Sequence, residues 1–193
     1  MKKWLILLWF AICVVGSTSF VRADDLAPTK QTSKTIKIES LTVQRLLKGG
    51  LRISEQSTFE KNIKYAVIAE RLIRDNNITS DKMIIAMLAN AWHESKWNPK
   101  AQGGSCIGLF QVHLRHLGKG STRAQLFDPA YNTKKIMTDY KFKTWVNWCK
   151  KNSDATAGKM AYKFADLVER CLNQHKPPRS ATANRWYKHL KTA

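Results

Sequence analysis

The chain has 193 residues, of which 33 are Lys or Arg and 14 are Asp or Glu, so its formal net charge is +19. Such a charge indicates an anionic partner: a nucleic acid, a membrane surface or a cell-envelope polymer. The basic residues are scattered, without a basic helix or an aromatic stacking module, so we expect no nucleic-acid partner.

The first 23 residues have the layout of a secretory signal peptide. Lys2 and Lys3 precede an apolar run over residues 4–15, and the small residue Ala23 stands where cleavage is expected. An uncleaved anchor is the alternative, but the apolar run is shorter than the roughly 20 residues that a spanning helix needs. We therefore expect residues 1–23 to be removed and the protein to reach the periplasm or the extracellular space.

Residues 24–50 are predicted to form a flexible leader that contains one short helix. The segment is rich in Lys, Thr and Ser, and its one apolar group, Leu41 to Leu47, is closed by Gly49-Gly50. Residues 51–193 show no internal repeat and no second linker. They predict one compact, mainly α-helical domain.

Two long helices begin this domain. Ser57-Thr58-Phe59-Glu60 has the form of a capping box, so the first helix is predicted to start at Ser57 and to end near Asn76-Asn77. Thr79 or Ser80 then caps a second helix that is apolar around much of its circumference, which predicts a central position in the core.

Glu94 lies near the C-terminal end of the second predicted helix. Burial beside apolar side chains and the negative end of the helix dipole would both favour a protonated carboxylic acid. The alternative is an ordinary solvated residue, paired with Lys96 or Lys100. Periodicity alone leaves both interpretations open.

The segment after Glu94 is a loop predicted to turn back toward the helix end. Pro99 stops the helix, and Gly103, Gly104 and Gly108 allow the backbone to return. The return would bring Gln111 and its neighbours close to Glu94.

The residues around this loop resemble a known family. The resemblance rests on Glu94-Ser95, Asn98-Pro99, Ala101 and Gly108-Leu109-Phe110-Gln111-Val112, continued by Leu126-Phe127-Asp128-Pro129 and Tyr131-Asn132. This pattern is similar to the catalytic signature of soluble lytic transglycosylases and goose-type lysozymes. His93-Glu94-Ser95, with Ala157-Gly158, Ala161, Phe164 and Val168-Glu169-Arg170, resembles more weakly the lysozyme-like domains of phage tail proteins.

The resemblance implies a lysozyme-like fold and an activity. Glu94 would be the general acid and base that cleaves the β-1,4 bond between N-acetylmuramic acid and N-acetylglucosamine in peptidoglycan. Other residues would border the glycan strand: Ser95, Gly108, Phe110, Gln111, Tyr131 and Asn132. Phe110 also suits the core, and Asp128 suits a helix cap better than a second catalytic acid.

Not every position fits the family pattern. Gly103 stands where relatives often have a serine, which puts one sugar contact in doubt. The resemblance favours a lytic transglycosylase that forms 1,6-anhydro ends, with a hydrolytic lysozyme as the alternative.

Three cysteines remain after processing, and Cys149 with Cys171 is the favoured disulfide pair because both lie in segments predicted as helical. A zinc site of Cys106 with nearby histidines matches no known spacing, so neither a metal nor another cofactor is predicted. Trp145, Trp148 and Trp186 are predicted to fill the core.

The expected partner is peptidoglycan, and the protein is predicted to be a monomer. Two functions of other classes remain as alternatives: a non-catalytic cell-wall binding protein of the same fold, and a cationic protein that lyses cells by disrupting membranes. Service to a secretion apparatus, to conjugation or to phage assembly is compatible with the lytic activity.

Overall fold

The structure is a computed structural model that describes residues Val43, Arg45 and Leu46 and the ranges 52–170 and 172–192. These residues belong to one compact unit that spans Ile38–Ala193. The predicted signal peptide, most of the predicted leader and Cys171 lie outside the described residues.

The described part of the chain is mainly α-helical, which confirms the predicted fold class. Its helices are α1 (Ile53–Asp75), α2 (Asp81–Ser95), α3 (Arg123–Leu126), α4 (Pro129–Met137), α5 (Tyr140–Lys151), α6 (Ala157–Phe164) and α7 (Lys176–Thr192). A π-helical turn (Ala165–Glu169) follows α6, and a 3-10 turn (Asn173–His175) leads into α7.

Helix α2 is the central helix, as its apolar sequence predicts. Eleven of its 15 residues are buried, and it packs against α1, α6 and α7. Ser80 is its N-cap residue, one of the two that the sequence offered. Because so much of α2 is enclosed, the position of its last turn is fixed by the core.

The predicted start of α1 at Ser57 is wrong. The helix begins at Ile53, with Arg52 as its cap residue, and Ser57 lies inside it. The backbone N–H of Arg52 donates to Glu55 Oε2 at 3.2 Å, so Glu55 supplies the bond that the sequence assigned to Glu60. The other end of the helix, at Asp75 and Asn76, agrees with the prediction.

A small antiparallel sheet lies between α2 and α3. It has the order β1 (Gln102–Gly103), β2 (Cys106–Ile107) and β3 (Val112–His113). Cys106 pairs with Gly103 on one side and with His113 on the other. The glycine-containing return loop of the sequence is therefore a three-stranded sheet with two tight turns.

Aromatic side chains fill the core behind α2. Phe59, Trp92, Trp97 and Trp186 are mutually in contact, with ring centroids 4.6–6.3 Å apart. Trp145 is also fully buried, so the predicted core role of Trp145 and Trp186 is confirmed, whereas Trp148 is only partly buried.

Two residues that precede position 51 belong to this core. Val43 and Leu46 are fully buried, and the backbone oxygen of Arg45 lies 3.2 Å from His189 Nε2 of α7. The packed domain therefore includes side chains from the segment predicted as a leader.

Within the residues described, no helix combines the length and the apolar character needed to cross a membrane.

Candidate active site

Glu94 is the penultimate residue of α2, and the chain turns sharply just beyond it. Lys96 and Trp97 both have positive φ angles, 54° and 57°, in the left-handed region. Asn62 of α1 donates to the Lys96 carbonyl at 2.9 Å, and Trp97 Nε1 donates to the Leu88 carbonyl at 2.9 Å. Bonds from two helices therefore fix the end of α2 and, with it, the base of the Glu94 side chain.

Ser95 ties the returning loop to this helix end. Its hydroxyl donates to the Leu109 carbonyl at 2.8 Å and lies 3.2 Å from the Ala91 carbonyl. Ser95 is buried, so its side chain holds the loop against α2. The structure thus shows a supporting role for Ser95, and its expected glycan contact stays a prediction.

Gln111 also bonds within the loop. Its side-chain N–H₂ donates to the Ala101 carbonyl at 3.1 Å and to the Gly108 carbonyl at 2.9 Å, and its own φ is 48°. Its Oε1 faces Gly103, where an added Cβ would lie 3.2 Å away. The amide nitrogen that was expected to bind sugar is thus engaged with the backbone.

Asn132 and Gly108 are interior residues. Asn132 accepts from the N–H of Phe110 at 2.8 Å and donates to the carbonyls of Ile107 and Leu126, each at 2.9 Å. Gly108 has φ 81°, and a Cβ there would lie 2.2 Å from the Leu126 carbonyl oxygen. Neither residue has a surface that a glycan can reach, which corrects their predicted role.

Phe110 and Tyr131 complete the predicted set. Phe110 is 2% exposed and its ring packs 6.4 Å from that of Phe164, so it belongs to the core. The Tyr131 hydroxyl lies 2.8 Å from the Ser121 hydroxyl, and its ring is half-buried. Asp128 accepts from the Tyr131 N–H at 2.7 Å, which confirms its predicted role as the cap of α4.

Glu94 itself opens onto a pocket of about 340 Å³. The pocket is lined by His93, Glu94, His175, Pro178 and Arg179. The surroundings are polar, whereas the sequence predicted burial of Glu94 beside apolar side chains. Trp92 points the other way, into the aromatic core, because residues two apart on a helix face different sides.

Arg179 of α7 is the immediate partner of Glu94. Its Nη2 donates to Glu94 Oε1, its Nη1 donates to the His175 carbonyl at 2.7 Å, and its Nε donates to Glu169 Oε2 at 3.3 Å. The exposed fraction of the side chains falls from 19% for Glu94 to 8% for Arg179 and 3% for Glu169. Glu94 is thus ion-paired with a cation 85 residues away in sequence, whereas the sequence offered Lys96 and Lys100 as its partners.

His93 is the second polar group of the pocket from α2. Its Nε2 lies 2.9 Å from the Thr182 hydroxyl of α7. Burial, together with the nearby charges of Lys96 and Arg179, lowers the pKa of His93 to about 4. His93 is therefore neutral at physiological pH.

Cys106, on strand β2, lies close enough to Glu94 for the two side chains to interact electrostatically. Burial and the negative charge of Glu94 both raise the pKa of the Cys106 thiol. A raised pKa keeps the sulfur protonated and poorly nucleophilic. Cys106 is therefore a neutral neighbour of the site.

Cys149 and Cys106 are free thiols, and Cys149 is buried in α5. Burial raises the pKa of Cys149 to about 12. Cys171, the predicted partner of Cys149, lies outside the described residues, and the predicted disulfide is not confirmed.

In the part of the chain that is described, no group of three or more His, Cys, Asp or Glu side chains is placed to hold a metal ion.

The sequence did not point to Arg179, Glu169 or His175 as site residues. Arg179 follows Pro177-Pro178, and no local pattern separates it from the 32 other Lys and Arg residues of the chain. The signal lies in the tertiary fold, because α7 packs along α2 and the turn before it returns the chain to Glu94.

A comparison with family models identifies the family of this chain. A model described as phage tail lysozyme matches residues 65–190, which include Glu94, the small sheet, Glu169 and Arg179. The chain belongs to the phage tail lysozyme family. No curated protein and no solved structure gives a significant match. Family membership confirms the lysozyme-like prediction and points to a glycan-cleaving activity with peptidoglycan as the substrate.

Proposed function

We propose that this phage tail lysozyme family member cleaves the β-1,4 bond between N-acetylmuramic acid and N-acetylglucosamine, with Glu94 as general acid and then base. One observation carries the proposal: the Glu94 carboxyl, held at the end of the central helix, faces a pocket of about 340 Å³ in a domain of this family. A positioned acid that can reach the departing oxygen is the group that glycoside cleavage needs.

The proposed reaction has two proton transfers through one side chain. Glu94 gives its proton to the glycosidic oxygen as the bond from that oxygen to C1 of N-acetylmuramic acid breaks. The C6 hydroxyl of the same sugar then bonds to C1, and its proton passes to Glu94. Between the two steps Glu94 is a carboxylate, with the Arg179 guanidinium as its ion-pair partner.

The number of carboxylates supports a transglycosylase with 1,6-anhydro products. Among the five residues that line the pocket, Glu94 alone carries a carboxyl group. Asp128 is used as a helix cap, and the Glu169 side chain lies behind Arg179 with 3% exposure. A two-carboxylate hydrolase needs its second acid within about 5–9.5 Å, across the scissile bond.

Hydrolysis is the second candidate, because the matching family is described as a lysozyme. In that case water attacks C1 in place of the C6 hydroxyl. Glu94 keeps the same role as acid, and the product has a reducing end.

Mass spectrometry of soluble products from purified peptidoglycan tests the proposal. Anhydro products lack one water relative to reducing ends, so the spectrum identifies the reaction. If the wild-type protein releases no muropeptides but still binds peptidoglycan, a non-catalytic binding protein is the better description. Dye leakage from wall-free anionic vesicles, without muropeptide release, would instead indicate membrane disruption.

We also propose that the protein acts outside the cytoplasm, and as a monomer. Support for export comes from the signal-peptide layout of residues 1–23. N-terminal sequencing of the exported protein should find Asp24 first. Light scattering of the purified protein should give the mass of one chain, and a dimer mass would contradict this proposal.

A further inference from the structure

A buried arginine lies between two carboxylates in this site. The guanidinium of Arg179 donates outward to Glu94 and inward to Glu169, and a third bond to the His175 carbonyl fixes its plane. Glu169 is the last residue of the π-helical turn. The three side chains therefore form a row from the pocket into the interior.

This row constrains how Glu94 is held. A glutamate at a helix end has several rotatable bonds, whereas the guanidinium is a rigid planar fork whose donors point in fixed directions. The side chain of Arg179 is itself immobilised by Glu169 and by the backbone of the 3-10 turn. Arg179 can therefore fix the direction in which the Glu94 carboxyl faces the pocket.

The row also keeps Arg179 in place. A guanidinium is always protonated, and a buried one needs a carboxylate beside it. Glu169 supplies that carboxylate from the inner side, with its Oε2 at 3.3 Å from Arg179 Nε. Glu169 therefore remains the counter-ion of Arg179 while Glu94 exchanges its proton in the proposed reaction.

We propose that Arg179 and Glu169 form a positioning pair that orients the Glu94 carboxyl toward the pocket. The inference rests on the proposed function, because it assigns this pair to the same site. Neither residue is proposed to touch the substrate.

Other titratable and charged groups surround Glu94. His93 and Lys96 lie on α2 and beside its end, Cys106 faces the site from the small sheet, and His175 lies on the 3-10 turn. Their identities stay constant across the variants below, so differences between variants report on Arg179 and Glu169.

Three variants separate the two charges. Glu169→Gln keeps Arg179 and removes the opposing charge. The double variant Arg179→Met with Glu169→Gln then removes the cation without leaving a buried unpaired carboxylate, which would endanger folding. Asp166→Asn is the matched control: Asp166 lies on the same turn and pairs at 2.6 Å with Lys176, the first residue of α7.

The measurement is carbon-13 NMR of the glutamate side-chain carboxyls at constant pH, with the Glu94 signal identified by its loss in Glu94→Gln. The chemical shift of this signal should move in Glu169→Gln and move further in the double variant, because the first change loosens the guanidinium fork and the second removes it. Asp166→Asn should leave the Glu94 signal where it is in the wild type.

The kinetic readout should follow the NMR signal. Arg179→Lys keeps the charge but loses the fork, so kcat should fall by about 10-fold or more while KM changes little. In Asp166→Asn both kcat and KM should match the wild type.

An unchanged Glu94 carboxyl signal in the folded double variant, or a wild-type kcat in folded Arg179→Lys, would overturn the inference. The outcome for the proposed function is separate. If the wild type releases no muropeptides, or if Glu94→Gln is as active as the wild type, the function fails while the NMR signal of Glu94 still decides the role of the pair.

Discussion

Asn132 joins two parts of the loop beside the site to the end of α3. Its amide bonds the backbone of Phe110, Ile107 and Leu126, and it is fully buried. A residue so enclosed acts on Glu94 only through the backbone that it supports.

Replacement of Asn132 should therefore reduce stability. Asn132→Ala leaves one N–H and two carbonyls buried without this partner, so we expect the free energy of unfolding to fall by about 2–4 kcal/mol. Urea denaturation measures the loss. Asn76→Ala, at the exposed end of α1, is the matched control and should cost about 1 kcal/mol or less. An Asn132→Ala protein of unchanged stability but low activity would indicate a substrate contact instead.

His93 makes stability depend on pH. Its pKa is about 4 in the folded protein against 6.5 in the unfolded chain, chiefly because of burial. As pH falls below 6.5 the unfolded chain takes up the proton first, so the folded state loses stability down to about pH 4. The stability that depends on neutral His93 is fully present above pH 6.5.

His93→Gln should reduce the loss of folding stability at acidic pH while keeping a neutral side chain beside Thr182. Because His93 is only partly buried, we expect about 1–2 kcal/mol of the loss between pH 6.5 and pH 4 to disappear. Thermal unfolding across that range checks it, with His189→Gln as the control on α7. An unchanged slope in His93→Gln would show that other groups cause the acid loss.

The contact between α6 and α7 depends on the absence of a side chain at Gly158. A Cβ there would lie 2.3 Å from Asn184 Nδ2 and 2.6 Å from the Ser180 carbonyl oxygen of α7. The Gly158 N–H also donates to Asn184 Oδ1 at 2.7 Å. This close approach places α7, and therefore Arg179, against the rest of the domain.

Gly158→Ala should push the two helices apart and destabilise the domain by about 1–3 kcal/mol. The double variant with Asn184→Ala should recover only part of this loss, because the clash with the Ser180 backbone remains. Chemical denaturation of the three proteins measures both effects. A neutral or stabilising Gly158→Ala would mean that α7 is not held as closely as the structure shows.

The helices were predictable to different degrees. The core position of α2 follows from its apolar circumference, and Asp128 capping α4 follows from the Asp-Pro pair. The start of α1 does not follow, because Arg185 of α7 pairs with Glu55 at 3.1 Å and supports a first turn that local sequence does not favour.

The site was predictable at Glu94 and much less so around it. The motif residues Ser95, Gly108, Gln111 and Asn132 cluster near α2 as expected, but their hydrogen bonds go to the backbone. Motif spacing predicts that residues are close, not which way they face. The pair formed by Arg179 and Glu169 depends on long-range packing, which one sequence does not reveal.

The whole molecule carries far more positive than negative side chains, 33 against 14. Helix α5 is an example: it contains no Asp or Glu, and its exposed residues include Lys143, Lys150 and Lys151. A surface of this kind should concentrate the protein at an anionic envelope polymer.

Binding to purified peptidoglycan sacculi should therefore weaken with salt. Raising the ionic strength from about 0.1 M to about 1 M shortens the Debye length from about 10 Å to about 3 Å, so we expect a several-fold loss of binding. A triple change of Lys143, Lys150 and Lys151 to Gln should reduce the low-salt binding and its salt dependence together. Co-sedimentation measures both, and salt-independent binding would contradict a role for the charge.

The rate of muropeptide release from purified peptidoglycan by three proteins tests the role of Glu94 most directly. Glu94→Gln should release muropeptides about 10²- to 10⁴-fold more slowly than the wild type, because the amide has no proton to give to the leaving oxygen. Glu60→Gln, a neutralised carboxyl on the exposed face of α1, should match the wild type. Equal rates for all three folded proteins would contradict Glu94 as the acid.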